Sequence, residues 1–224
     1  MRKTAVLFDM DGVIVDSMPY HFISWYEALR PVGVRVNCIF VYNKEGERWE
    51  KTLRELLSRK HRRLSPALVN KVFREKQRIF RKYFKRFIFP GVTELLASLR
   101  REGYKIGLVT STPLAEVRLI LPRKIFDAFD AVVTGDMVSR GKPFPDPYLK
   151  AARMLGCEPR DCAVVENANL GIRSAKNAGM FCIALTTSLP AEELKGHDVV
   201  RDELPEVLEV IRRFAKGKRV SIRK

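Results

Sequence analysis

Short apolar segments alternate with amphipathic helical segments along most of this chain, and this alternation constrains its fold more than any other feature. Segments of strand length occur at residues 4–8, 104–110, 130–135, 162–167 and 181–186. Helical patterns separate them, such as "ELLASLRREG", whose leucines recur at helical spacing and which ends at Gly103. The alternation predicts an α/β fold of the doubly wound, Rossmann-like type, with a mostly parallel sheet of five or more strands.

Residues 17–87 interrupt the alternation. Strand patterns are missing there, and two helical stretches take their place: "PYHFISWYEALRP" and a longer one that begins at "RWEKTLRELL". We therefore expect an α-helical cap domain at 17–87, inserted into a catalytic core made of residues 1–16 and 88–224. Hinges are expected near Ser17 and near residues 89–91.

The composition excludes several classes of protein. Hydrophobic residues make up 46% of the 224 residues, which is enough for a full core and argues against disorder. No apolar run reaches the roughly 18 residues of a membrane span, and the first residues lack the apolar stretch of a signal peptide. We expect a soluble cytoplasmic protein with no membrane partner, either a monomer or a dimer.

The cysteines do not indicate a metal site. The four of them form no CxxC pair and do not cluster with the three histidines, which disfavours zinc. They are expected to be small buried hydrophobic residues. A disulfide between Cys157 and Cys162 would require a thermophilic host, which the single glutamine and the 30% charged residues weakly indicate.

The positive charge is concentrated in one part of the chain and its tail. The net charge is +16, and residues 44–86 hold 16 Lys and Arg against 5 Asp and Glu. Residues 211–224 hold 7 Lys and Arg and no acid. This charge can form a solvated face, steer anionic substrates or bind nucleic acid. We favour the solvated face and do not expect nucleic acid as a partner.

Several polar residues follow strands of the predicted sheet. In "FDMDGVIVDS", Asp9 and Asp11 come directly after the first strand, on the same side of an extended chain. The residues at the ends of the later strands are Thr110, Ser111, Glu166 and Asn167, and Lys142 lies in a loop before a helix. Ligands of parallel α/β sheets bind at the carboxyl ends of the strands. An oxygen-rich site of this kind suits Mg²⁺, and a lysine and hydroxyls beside it suit phosphoryl transfer.

The motifs "DMDGVIVDS", "LVTST", "GKPFPDPY" and "VVENANLGIRSAKNAGM" together resemble the four ordered motifs of the haloacid dehalogenase-like superfamily. The resemblance is greatest to its phosphatases and phosphomutases with a small helical cap. It implies that Asp9 is the nucleophile that forms an aspartyl-phosphate, and that Asp11 is the general acid and base. It also implies that Thr110 binds the phosphoryl group and that Lys142 offsets charge on it and on Asp9.

The resemblance implies a Mg²⁺ site formed by Asp9, the main-chain carbonyl of Asp11, Glu166 and Asn167. Many relatives have an acid where this chain has Asn167, so one negative charge is missing. Which of Glu166 and Asn167 contacts the metal directly is left open. The presence of Asp11 indicates a phosphate enzyme, because related dehalogenases lack this second aspartate.

Four residues have open assignments. Ser111 contacts substrate or forms a turn, and His21 meets substrate or is an ordinary, partly buried histidine. Arg48 lies in the predicted cap loop with Glu45 and Gly46 and is either a substrate contact or a surface charge. Asp16 is expected to cap the next helix or to support the hinge. Trp25 and Trp49 are expected to pack within the core and the cap.

These patterns lead to one preferred function and two alternatives. We expect a Mg²⁺-dependent phosphohydrolase that cleaves a small phosphorylated metabolite, such as a sugar phosphate or a phosphoglycolate-like ester. The first alternative is a phosphomutase of the β-phosphoglucomutase type, which uses the same Asp9 intermediate. The second is a polyanion-binding protein without catalytic activity.

Overall fold

The computed structural model describes residues 4–47, 49–58 and 65–217. Within these ranges six strands form one parallel sheet, in the order β3-β2-β1-β4-β5-β6. The strands are β1 (Ala5–Phe8), β2 (Lys105–Val109), β3 (Ala131–Val133), β4 (Cys162–Glu166), β5 (Phe181–Leu185) and β6 (Val199–Arg201). The predicted fold class is confirmed. The edge strand β6 is additional, because its three residues are too few to show a pattern.

Helices follow almost every strand. They are α1 (Met18–Leu29), α2 (Cys38–Asn43), α3 (Trp49–Ser58), α4 (Pro66–Tyr83), α5 (Val92–Arg101), α6 (Leu114–Ile120), α7 (Arg123–Phe126), α8 (Asp146–Leu155), α9 (Asn169–Asn177) and α10 (Val207–Ala215). Short 3-10 turns occur at Arg30–Val32, Gly135–Met137, Pro159–Asp161, Ala191–Glu193 and Leu204–Glu206.

Two apolar clusters cover the two faces of the sheet. Along β1, Val6 and Phe8 point to the cluster that includes α5, α6, α7 and α10. Ala5 and Leu7 point to the other cluster, which includes α8 and α9. This alternation follows the two-residue period of a strand, and burial on both faces explains why the strands are apolar throughout.

Helices α1 to α4 form a separate bundle between β1 and α5, which we call the helical insertion (residues 17–87). It has its own apolar cluster, centred on Leu29, Leu53 and Leu57. Trp49 stacks on Phe73 with ring centroids 3.5 Å apart. The sequence predicted two helical stretches in this region, whereas its described part contains four helices. The short helix α2 was missed because six residues give little periodicity.

The two chain segments that enter and leave the helical insertion run side by side. The amide of Asp16 donates to the carbonyl of Phe87 at 2.9 Å, and the amide of Phe89 donates to the carbonyl of Ile14 at 3.1 Å. Asp16 therefore contributes its backbone at this crossing and does not cap α1, whose N-cap residue is Ser17. The exact domain boundaries stay a prediction.

The cysteine prediction was wrong at one position. Cys157, Cys162 and Cys182 are buried, but Cys38 is exposed at the start of α2. All four cysteines are described, and no disulfide joins Cys157 to Cys162. In the described ranges, no helix is long and apolar enough to cross a membrane.

Candidate active site

The carboxyl ends of three neighbouring strands bring the predicted polar residues together. Strand β1 lies between β2 and β4, so the segment after β1 lies beside the ends of both neighbours. Asp9 and Asp11 follow β1, Thr110 follows β2, and Glu166 is the last residue of β4. The strand order therefore creates one buried polar site at this edge of the sheet.

Lys142 is the central cation of this site. Its Nζ atom donates to Asp9 Oδ1 and to Glu166 Oε1, both at 2.6 Å, and contacts the carbonyl of Val109 at 3.3 Å. Burial disfavours the ammonium form, but the charges of Asp9 and Glu166 outweigh burial and raise the pKa of Lys142. The side chain is therefore a permanent cation that holds two carboxylates in place.

Glu166 has all its hydrogen-bonding capacity occupied. Besides Lys142, Oε1 accepts from the Tyr148 hydroxyl at 2.9 Å. Oε2 accepts from the backbone amides of Asn167 at 2.9 Å and Ala168 at 3.2 Å. These four donors leave the carboxylate little capacity for a direct metal bond, so we interpret Glu166 as the residue that positions Lys142.

The other metal candidate, Asn167, has a free acceptor. Its Oδ1 atom is buried and has no hydrogen-bond partner, while its Nδ2 atom donates to Ser188 Oγ at 2.7 Å. Gly12 packs against this amide, and a Cβ atom there would lie 2.0 Å from Asn167 Nδ2. An unpartnered buried oxygen is costly unless a ligand satisfies it.

The donors at this site fit Mg²⁺. They are the carboxylate of Asp9 and the amide oxygen of Asn167, both hard oxygen ligands. Among the described residues no three His, Cys, Asp or Glu side chains cluster as a metal site, so water and substrate oxygens would supply other ligands. Burial raises the pKa of Asp9 well above its usual range; Lys142 opposes this and Glu166 adds to it. A divalent cation would offset that effect.

Asp11 lies in a different environment from Asp9. Its Oδ1 atom accepts from Ser17 Oγ at 2.6 Å and contacts His21 Nε2 at 3.2 Å. Its Oδ2 atom accepts from Thr112 Oγ1 at 3.1 Å. Burial alone would raise the pKa of Asp11, but the hydrogen bonds from these groups outweigh it and lower that pKa. The two aspartates thus have opposite shifts, as expected for carboxylates with separate chemical tasks.

A buried lysine of the helical insertion supports this arrangement. Lys76 Nζ lies 3.0 Å from His21 Nδ1, and it packs over the rings of Trp25 and Phe80. Burial lowers the pKa of Lys76. A continuous chain of contacts therefore runs from α4 through His21 on α1 to Asp11 in the core.

A cavity of about 350 Å³ lies between the core and the helical insertion. Its core side is formed by Thr110, Ser111 and Thr112. The aromatic residues on its insertion side are Trp25, Phe40, Trp49 and Phe73. The two tryptophans therefore line this cavity in addition to packing in the insertion. A space of this size fits a small metabolite.

The loop between α2 and α3 closes over the site. Ser111 Oγ donates to the carbonyl of Gly46 at 2.8 Å, so Ser111 connects the core to this loop. A Cβ atom at Gly46 would lie 3.0 Å from Lys142 Cδ, which shows how closely the loop approaches the buried lysine. Asn169 Nδ2 also donates to Asn43 Oδ1 at 3.0 Å. The helical insertion therefore lies directly on the core edge that carries the site.

The structure brings most of the predicted residues together. Asp9, Asp11, Thr110, Lys142, Glu166 and Asn167 lie at the strand ends, with His21 and Ser111 beside them. Arg48 lies outside the described residues. Sequence reasoning missed the contributions of Ser17, Thr112, Tyr148 and Lys76. A signal existed for Lys76, because this lysine lies on the apolar stripe of α4, among Val72, Ile79 and Phe80.

A doubly wound sheet with a buried lysine, carboxylates and hydroxyls below a helical insertion is the arrangement of an α/β enzyme. The comparisons with known proteins identify its family. The family model of the haloacid dehalogenase-like hydrolases matches residues 3–179. This chain belongs to that family, which confirms the resemblance seen in the motifs and the predicted enzyme class.

Relatives cover nearly the whole chain. The β-phosphoglucomutase of Bacillus subtilis (strain 168) is 32% identical over 202 residues, which are 88% of this chain and 88% of that protein. Hexitol phosphatase A of Escherichia coli (strain K12) is 30% identical over 208 residues, covering 92% of this chain and 94% of that protein. The crystal structure of a β-phosphoglucomutase from Clostridium difficile has a TM-score of 0.83 and 26% identity, covering 96% of this chain and 98% of that chain.

Substitution of Gly171 tests the fixed position of Glu166. A Cβ atom at Gly171 would lie 1.6 Å from Glu166 Oε1, so Gly171→Ala must displace this carboxylate. We expect the free energy of unfolding to fall by about 2 kcal/mol, although alanine is the better helix former. Denaturant titration measures the change. Arg173→Ala on the exposed face of the same helix is the control, and an equal effect of both changes would contradict the packing argument.

The pKa of Asp9 predicts a gain in stability for the metal-free variant Asp9→Asn. The folded pKa of Asp9 is raised above the unfolded value, so the contribution of this one group to stability falls as the pH rises above about 4. Asparagine removes this cost, and Lys142 keeps Glu166 as its partner. At pH 7.5 in EDTA we expect Tm to rise by about 3–6 °C, with little gain near pH 4.

Differential scanning fluorimetry measures this effect. Asp127→Asn, on the protein surface, provides a matched control that should change Tm little at either pH. A lower Tm for Asp9→Asn at pH 7.5 would show that the attraction between Asp9 and Lys142 exceeds the burial cost, contrary to the argument.

Proposed function

We propose that the protein is a Mg²⁺-dependent phosphohydrolase that cleaves a small phosphate monoester through an aspartyl-phosphate on Asp9. The observation that carries this proposal is the pair of aspartates with separate supports. Lys142 holds Asp9 at 2.6 Å, whereas Ser17 and His21 hold Asp11. One carboxylate is thus placed as a nucleophile and the other as a proton carrier.

In the first half of the reaction, the carboxylate of Asp9 attacks phosphorus and the bond to the leaving oxygen breaks. Lys142 offsets negative charge on the transferring group, and the hydroxyl of Thr110 binds one of its oxygens. Asp11 gives its proton to the leaving oxygen, so the alcohol departs neutral. The anionic phosphate of the substrate raises the proton affinity of Asp11 when it binds beside this carboxylate.

In the second half, Asp11 takes a proton from water, and that water attacks the phosphorus of the aspartyl-phosphate. Inorganic phosphate leaves and the Asp9 carboxylate is restored. Mg²⁺, held by Asp9, the main-chain carbonyl of Asp11 and Asn167, would neutralise charge on the phosphoryl oxygens. The helical insertion acts as the cap that excludes bulk water from the closed site.

A sugar phosphate is the substrate class best supported. The cavity of about 350 Å³ accommodates a leaving group of this size. Relatives named as a hexitol phosphatase and a β-phosphoglucomutase point in the same direction. The cytoplasmic location of the protein, where sugar phosphates occur, stays a prediction.

Phosphate release from p-nitrophenyl phosphate and a panel of sugar phosphates tests the hydrolase. We expect turnover with Mg²⁺ and its loss in EDTA. Asp9→Asn and Asp11→Asn should each lower kcat by at least about 1000-fold. Asp16→Asn removes a carboxylate outside the site and should leave kcat within about threefold. Full turnover in the Asp9→Asn and Asp11→Asn variants would disprove the mechanism.

A phosphomutase is the second candidate, and the contacts from Lys76 through His21 to Asp11 favour it. They make the proton carrier depend on the position of the helical insertion. A mutase needs this dependence, because water must not attack the phosphorylated Asp9 while the site is open. The β-phosphoglucomutase relative adds support.

Product analysis separates the two functions. With β-glucose 1-phosphate and a bisphosphate primer, a hydrolase releases inorganic phosphate and a mutase forms glucose 6-phosphate. We expect inorganic phosphate to exceed glucose 6-phosphate in a coupled assay, and the reverse ratio would establish the mutase. Asp11→Asn is the control, because both reactions require its proton transfer.

A further inference from the structure

Glu45 is an acidic residue of the cavity that the proposed mechanism does not use. It lies in the loop between α2 and α3, next to Gly46, whose carbonyl accepts from Ser111 at 2.8 Å. This bond fixes the loop to the core and keeps Glu45 at the cavity wall. Burial raises the pKa of Glu45; His21 and Lys76 oppose the rise and Asp11 adds to it. Glu45 therefore lies within electrostatic reach of the proton carrier.

Each of the two lysines that line the cavity beside Glu45 faces more than one acidic group: Lys44 has Glu47 and Glu55, and Lys76 has Glu116, Glu45 and Asp11. Lys44 Nζ pairs with Glu47 at 3.3 Å and with Glu55 at 3.0 Å. Lys76 Nζ contacts His21 Nδ1 at 3.0 Å and lies over two aromatic rings. Among the described residues that line the cavity, these are the only lysines or arginines. The acids that line it are Glu45, Glu47, Glu50, Glu116 and Asp136.

We propose that Glu45 determines charge selectivity at this site. It favours phosphate monoesters whose leaving group is neutral or carries an ammonium group, and it disfavours a second anionic group. The inference rests on the proposed function, since it concerns the leaving group of that reaction. The reason is Coulombic: an anion near Glu45 would meet a like charge in a cavity whose described lining carries five acids against two lysines.

The walls around Glu45 define the rest of the preferred leaving group. Trp25, Phe40, Trp49 and Phe73 offer flat apolar surfaces on the insertion side of the cavity. Such surfaces contact the C–H face of a ring, while the carboxylate accepts from a hydroxyl or an amino group at its edge. Amino sugars and similar amino-substituted cyclic alcohols have both features.

The same charge affects the choice between hydrolysis and phosphoryl return. A phosphomutase binds a bisphosphate, whose second phosphate would occupy the leaving-group side of the cavity. Glu45 would repel that group. Selectivity against bisphosphates therefore favours the hydrolase, in which the leaving alcohol departs and is replaced by water.

Three phenyl phosphates with para substituents test the proposal. They carry an aminomethyl, a methyl or a carboxyl group, so the leaving group is cationic, neutral or anionic, and the comparison of each ester between wild type and variant cancels differences in phenol acidity. For the wild-type protein with Mg²⁺ we expect kcat/KM to fall in that order, by about tenfold or more from cation to anion. In Glu45→Gln the three values should lie within about threefold.

Two further variants complete the test. Glu75→Gln removes the same charge from the outer surface of α4, where Glu75 pairs with Arg78, and should keep the wild-type ratio. Glu45→Lys should reverse the order and shows the effect even if Glu45→Gln folds poorly. Thermal melts confirm that each variant is folded.

The outcomes separate this inference from the function on which it rests. If the wild type does not hydrolyse even the neutral ester, the proposed function is wrong and the inference fails with it. If the neutral ester is hydrolysed and Glu45→Gln keeps the wild-type ratio, only the inference is wrong. Loss of neutral-ester hydrolysis in a folded Glu45→Gln protein would also overturn it, because Glu45 would then be part of the catalytic machinery.

Discussion

The burial of three carboxylates at one edge of the sheet, two of them held by the ammonium group of Lys142, is the feature on which the rest of the structure depends. Asp9, Asp11 and Glu166 are each at most 4% exposed, and removing such charges from water costs several kcal/mol per ion before compensation. Lys142 compensates two of them, and hydroxyls with His21 stabilise the third. Some of the buried negative charge stays uncompensated, most of all at Asp9, and this is the physical reason to expect a bound cation.

The sequence predicts the fold and the strand-end residues because topology alone brings them together. A parallel sheet with β1 between β2 and β4 must place Asp9 near Glu166, whatever the side chains do. Tyr148 could not be found in this way, since it reaches the site from helix α8 through side-chain packing. The sequence could not decide between Glu166 and Asn167 as the metal ligand for the same reason. Only the hydrogen bonds show that the acceptor sites of Glu166 are occupied and that Asn167 Oδ1 has no partner.

Apart from Lys44 and Lys76, the described lysines and arginines of the helical insertion do not line the cavity. The cations of α4 at Lys71, Arg74 and Arg81 are exposed, while acids predominate along the cavity wall. Exposed cations of this kind raise the local concentration of small anions around a protein. The outer surface can therefore attract anions while the cavity wall repels them. The net charge of +16 alone does not reveal this difference.

Three contacts of the helical insertion reach the core at separate points of the site. Gly46 packs on Lys142, His21 contacts Asp11, and Asn43 bonds to Asn169. Since these residues belong to one bundle, a rigid movement of that bundle would break the contacts together. Glu45 would leave with the same loop. In the proposed reaction, Glu45 and the contact between His21 and Asp11 would therefore depend on the same closed arrangement. A substrate that fails to hold the loop in place would lose both.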